Sequence, residues 1–121
     1  MCIRDRLPRI YQVNWFRKDE DGHWLWPGFG DNVRVLKWIV DRLEGKVDVI
    51  DSPIGLLPKP EDIDVSGLDM PADDVAKAVA YDPEAWKKEL PLIEEWMDKF
   101  GDKLPAEIKA EFDKVKAAVA G

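Results

Sequence analysis

Cysteine occurs once in the 121 residues, at Cys2, and histidine once, at His23. A single cysteine excludes an internal disulfide framework and a multi-thiolate metal site. A single histidine beside a turn, with no partner triad in view, gives nucleophilic or general-base catalysis no support; such a residue is ordinarily surface. Positive charge is also scarce. Eighteen Lys and Arg stand against 25 Asp and Glu, for a net charge of −7 and a pI near 4.7. A nucleic-acid partner would call for a basic face, and so would an anionic membrane surface. No apolar run approaches the length of a membrane span. No GxxxxGK[ST] is present, and GFGDN is not GxGxxG, so the residues give no support to phosphate cradling. The acid clusters Asp19-Glu20-Asp21, Glu61-Asp62-Asp64, Asp73-Asp74 and Glu94-Glu95 lack calcium-loop spacing and read as solvated surface and helix starts. Internal repeats and low-complexity tracts are absent.

What remains is a globular composition of single-domain length, 45% apolar and 36% charged. The first residues, MCIRDR, read as a translated sequencing adapter. Met1–Arg6 is therefore expected to be a scar outside the natural segment, which starts at Leu7 and then contains no cysteine. A chain that opens this way is expected to begin in the middle of a gene.

The densest information lies in residues 14–32, NWFRKDEDGHWLWPGFGDN. Three of the six Trp fall inside it, Trp38 follows shortly after, and Phe16 and Phe29 are here too. Ile10–Lys18 is rich in β-branched and aromatic residues and reads as a strand, and His23–Trp26 as its return. A three-residue loop, Glu20-Asp21-Gly22, with Gly22 left-handed, would place Phe16, Trp24 and Trp26 on one face. Pro27-Gly28-Phe29-Gly30 forms a sharp bend that lets a ligand approach the main chain. Such a run is either core or the wall of a pocket that stacks a planar ligand. Aromatics are usually buried, so composition alone favours core. The Gly-flanked Phe29 followed by Asn32 favours the pocket, because an Asn side chain donates and accepts and can read a purine edge.

Asp31 or Asn32 is expected to cap a helix to about Glu44, with Leu36, Ile39, Val40 and Leu43 as its apolar stripe. Gly45 ends it. Lys46–Ile50 suggests a short strand. Asp51–Asp69 carries three Pro and two Gly and reads as an extended connection, anchored by Ile54, Leu56 and Leu57. A short helix is expected at Pro71–Ala80. Asp82-Pro83 starts another, with Trp86, Leu90, Ile93, Met97 and Phe100 on one face and Pro91 inside, where it should kink or split the helix. Pro105 opens the last helix, with Ile108, Phe112, Val115 and Val119 on one face. The two stripes predict an antiparallel helical hairpin. The class is α+β: an N-terminal hairpin and Gly-rich loop, an amphipathic helix, a Pro/Gly-rich connection and a C-terminal helical hairpin.

The strings VNWFRKDEDG and LWPGFGDN followed by RVLKW closely resemble the C-terminal part of the GTP-dependent phosphoenolpyruvate carboxykinases. SPIGLLP resembles that family's TPIGYVP-type segment, DIDVSGLD its next block, and WKKEL with FGDKLP its helical tail. The resemblance runs from about Leu7 to the end. It implies that residues 7–121 are the C-terminal part of a mixed α/β nucleotide-binding domain. The family converts oxaloacetate and GTP to phosphoenolpyruvate, carbon dioxide and GDP, in gluconeogenesis, with manganese at the active site and magnesium carried with the nucleotide. The resemblance further implies a cytoplasmic, monomeric parent enzyme with no nucleic-acid or membrane partner. It places the guanine base between Phe16 and Phe29, with Trp24 where the family usually has a Phe, Gly30 and Asp31 in the contacting loop, and Asn32 reading the base edge. The family's phosphate loop, metal ligands and substrate-binding Arg residues have no counterpart here, so the segment is expected to hold one wall of the nucleotide site and no catalytic residue. The rival readings are a self-standing aromatic-rich module for a carbohydrate or protein partner, and a purely structural piece with its aromatics as core.

Overall fold

A computed structural model describes residues 7–121. Cys2 and the adapter segment expected at Met1–Arg6 lie outside the described residues. Those residues form four α-helices and one two-stranded sheet: α1 (Asn32–Leu43), β1 (Val49–Ser52), β2 (Gly55–Pro58), α2 (Ala72–Val79), α3 (Pro83–Asp98) and α4 (Ala106–Ala120). The α+β class is as expected. None of these helices is long and apolar enough to cross a membrane.

The chain divides into two compact units. The first holds the residues up to Asp48 together with Pro58–Val79, and its buried apolar side chains are Leu25, Trp38, Ile63 and Val75. Tyr11 meets Trp38 edge to face at 6.3 Å. The Arg17 guanidinium donates to the Ala78 carbonyl near the end of α2 (3.2 Å), which ties the first segment to that helix. Among the described residues, the Trp38 indole N–H is the one buried side-chain polar group with no acceptor.

The predicted strand Ile10–Lys18 is not formed. The Asn14 Oδ1 accepts the Phe16 N–H at 3.0 Å, and the chain turns at Trp15-Phe16. This local bond offers the backbone an alternative to a ladder. Pairing shrinks to one antiparallel bridge, Lys18 with Trp24. The stripe expected on α1 is apolar but uncovered: Leu36, Val40 and Leu43 are exposed, Ile39 is half-buried, and Trp38 is the buried residue of the helix.

The Pro/Gly-rich connection has more regular structure than predicted. The strand expected at Lys46–Ile50 lies slightly later, as β1, and β2 returns after only Pro53-Ile54, a link short enough to require antiparallel pairing. The residues read as breakers make the turn instead. The Ser52 hydroxyl donates to the Gly55 carbonyl (2.6 Å) and accepts the Ile54 N–H (3.3 Å). Of the expected anchors, Leu56 is exposed and Ile54 and Leu57 are half-buried; Ile63, beyond a 3-10 turn at Pro60–Asp62, is the buried one.

The second unit, Val49–Leu57 and Ala80–Gly121, contains the helical hairpin. Asp82 caps α3, its Oδ1 accepting from the N–H groups of Glu84 (2.9 Å) and Ala85 (3.2 Å). The helix is not split at Pro91; it runs unbroken to Asp98. Leu90, Phe112 and Val119 form the buried cluster, flanked by Tyr81, Trp86, Ile93, Met97 and Val115. Lys116 bridges from α4 to Glu94 on α3 at 2.9 Å. Phe100 leaves the predicted face and packs edge-on against Trp96 at 5.8 Å, and Ile108 is exposed.

Candidate functional site

The bridge between Lys18 and Trp24 encloses the expected three-residue loop. Asp19 N–H donates to the His23 carbonyl (2.9 Å), and Gly22 N–H to the Asp19 carbonyl (3.1 Å). Gly22 has φ 84°, in the left-handed region that glycine enters without steric cost. Asp19 organises the loop from inside. Its Oδ1 accepts the N–H groups of Asp21 (3.0 Å) and His23 (2.8 Å), and its Oδ2 lies 3.3 Å from His23 Nδ1. The His23 backbone N–H is the main cause holding the Asp19 carboxyl below the usual carboxylate range. Asp19, Asp21 and His23 offer ligand atoms within 4.8 Å of one another. The bonds that the Asp19 carboxylate accepts close the turn.

The register brings Phe16 and Trp24 to one face, where their rings meet at 5.9 Å and 69°. Trp26 departs from the expectation. It packs on Trp15 at 6.3 Å, because the turn at Trp15-Phe16 replaces Phe16 with Trp15 as its neighbour. Lys18 Nζ stands 4.2 Å from the Trp24 ring centre, so a cation already occupies part of that ring's environment. The aromatics thus divide. Phe16, Trp24 and Phe29 are 73%, 55% and 92% exposed, whereas Trp15 and Trp26 are half-buried and Trp38 is buried. Leu25, between two tryptophans, is the buried residue of the stretch, and sequence reasoning passed over it. Alternation was the available signal: with Trp24 directed outward, the next residue turns inward.

After Pro27, Gly28 has φ 134°, a conformation that side-chain-bearing residues rarely adopt. It delivers the chain into a 3-10 turn, Phe29–Asp31, closed by Asp31 N–H donating to the Gly28 carbonyl (3.1 Å). Gly30 lies in this turn and is exposed. Asp31 occupies the N-cap position of α1 but makes no capping bond. Its Oδ1 instead accepts from Arg34 Nε (3.2 Å), and Arg34 also donates to the Asp64 carbonyl (2.9 Å). This brace fixes the turn against the DIDVSGLD block. The Asn32 side chain does not cap either. Its Oδ1 accepts the indole N–H of Trp26 at 2.8 Å.

Over residues 2–118 the chain matches the family model of the phosphoenolpyruvate carboxykinase C-terminal P-loop domain. It is 53% identical over 112 residues to the phosphoenolpyruvate carboxykinase (GTP) of Paenarthrobacter aurescens (strain TC1), covering 93% of this chain and 18% of that protein. Identity to the enzyme of the same name from Arthrobacter sp. (strain FB24) is 52% over 116 residues, or 96% of this chain and 19% of the relative. With that of Corynebacterium glutamicum (strain R) it is 45%, with the same two shares, 96% and 19%. The chain therefore spans about a fifth of the length of the curated relatives it matches.

Proposed function

The chain belongs to the GTP-dependent phosphoenolpyruvate carboxykinase family, and from that premise we propose that it supplies the guanine-binding wall of such an enzyme. The complete protein would decarboxylate oxaloacetate and transfer the γ-phosphoryl group of GTP to the resulting enolate, giving phosphoenolpyruvate, carbon dioxide and GDP. It would be cytoplasmic, monomeric and gluconeogenic. Residues 7–121 would form part of its mixed α/β nucleotide-binding domain. The base would lie against the Phe16–Trp24 pair on one side and Phe29 on the other, with Gly30 and Asp31 shaping the loop and Asn32 reading the edge. Two aromatic walls supply affinity without discrimination, because every base has a π-face; the choice of guanine falls to the polar edge.

The observation that supports this reading is the division of the aromatics. The three rings assigned to the base are the exposed ones of a stretch whose other rings are half-buried or buried. The manganese and magnesium of the family do not fit the acidic residues here. The one such grouping among the described residues, Asp19 with Asp21 and His23, has the Asp19 carboxylate engaged in closing the turn, and we assign the metal ligands to the rest of the parent enzyme. The alternative of a self-standing binding module gains no support, since the matched relatives are carboxykinases.

The test is Phe29→Ala in a full-length carboxykinase carrying residues 7–121. Loss of one stacking face, about 1–3 kcal/mol, should raise the KM for GTP by roughly 5- to 150-fold with less effect on the KM for oxaloacetate. An unchanged GTP dependence would show that Phe29 is not a wall of the site.

A further inference from the structure

The indole N–H of Trp26 donates to the Asn32 Oδ1 at 2.8 Å, between half-buried side chains. Indole nitrogen is a donor only, so the atom facing it must be the carboxamide oxygen and not the nitrogen. This one bond therefore decides which way the Asn32 amide is turned. Among the described residues the Asn32 Nδ2 group makes no protein hydrogen bond, which leaves two donors on the side away from Trp26.

We infer that Trp26 is a positioning residue for base selection: by holding the Asn32 oxygen, it presents the amide NH2 to the base. This rests on the guanine-wall reading above. A fixed NH2 pairs with a purine whose position 6 is a carbonyl acceptor and meets an unfavourable donor–donor contact with the 6-amino group of adenine. An unanchored Asn could rotate its amide and accept from adenine instead. Asn alone is thus an ambiguous reader, and Trp26 removes the ambiguity. Two more features keep the pair in register. Trp15 packs against Trp26 at 6.3 Å. Asn32 opens α1, where the 3-10 turn at Phe29–Asp31 fixes its backbone. The contact reads position 6 of the purine and so does not separate guanine from hypoxanthine.

The experiment uses a full-length carboxykinase carrying residues 7–121 and compares kcat/KM for GTP, ITP and ATP. One variant is Trp26→Phe. A second carries β-(3-benzothienyl)alanine at position 26, which keeps the bicyclic shape and deletes only the N–H. Asn32→Ala serves as the reference for the reader itself. Both position-26 variants are expected to lower the preference for GTP over ATP by about three- to tenfold, the range set by one neutral hydrogen bond, with the ITP-to-GTP ratio unchanged. Asn32→Ala should lower the GTP preference at least as far. If Asn32→Ala lowers it and the benzothienyl variant does not, the positioning role of Trp26 is overturned while the guanine wall stands. If Asn32→Ala leaves the preference intact, both fall.

Discussion

Asp19 accepts the backbone N–H groups of Asp21 and His23 through a single carboxylate oxygen, at 3.0 and 2.8 Å. Those bonds favour the ionised carboxyl, so its pKa is lowered in the folded loop, with the His23 N–H as the largest cause. A depressed acid contributes stability at pH above its unfolded pKa, and that contribution is lost as pH falls through the folded value. The loop should therefore stay closed at neutral pH and loosen only in strong acid. In an NMR titration, the amide resonances of Asp21 and His23 should move together with a midpoint below the ordinary carboxyl value of 3.8. A midpoint at or above 3.8 would mean that the latch does not favour the charged form. At this scale the sequence was legible where one residue type has one use. Gly22 could be assigned the left-handed position because few other residues take it cheaply. The partner of Asn32 was not legible, since an Asn before a helix has several outlets and only the fold selects the Trp26 indole.

The helical hairpin is the element on which periodicity served best. Its buried cluster of Leu90, Phe112 and Val119 falls on the predicted faces, and Asp82 caps where Asp-Pro indicated. Both cues are local and need no knowledge of neighbours. The N-terminal strand shows the converse. Its β-rich composition is a matter of composition only: a strand exists only with a partner strand, and among the described residues backbone pairing begins at Arg17, whose carbonyl accepts the Leu25 N–H (3.0 Å), beside the Lys18–Trp24 bridge. The stripe on α1 was likewise found, but its covering was not. Energetic ranks within the hairpin follow from burial. Leu90→Ala removes a large side chain at 7% exposure from the cluster, and should cost about 3 kcal/mol, within the range for cavity-forming changes. Asp82→Ala removes a cap that satisfies two amides and should cost about 1 kcal/mol. Hydrogen exchange of the α3 and α4 amides reports both; a larger effect from the cap than from Leu90 would contradict the packing described.

For the molecule as a whole the decisive feature is apolar surface. Val33, Leu36, Val40 and Leu43 follow one another on α1 at helical spacing, and each is more than half exposed. Burying a Val or Leu fully is worth about 1.5–3 kcal/mol, so four such side chains in water represent an unused gain on the order of several kcal/mol. A contiguous stripe of this kind marks a contact surface or an aggregation liability. The matched relatives are about five times as long, since the chain covers 18–19% of them. The 121 residues taken alone leave this stripe in water. They should bind an apolar-surface dye such as ANS and scatter light increasingly with concentration. They should also give no turnover above background in a coupled assay with oxaloacetate, GTP and manganese, because holding a base orients no phosphate and no enolate. Cooperative melting as a monomer without dye binding would show that the α1 stripe is satisfied within this chain. Turnover would show that catalytic groups reside in it.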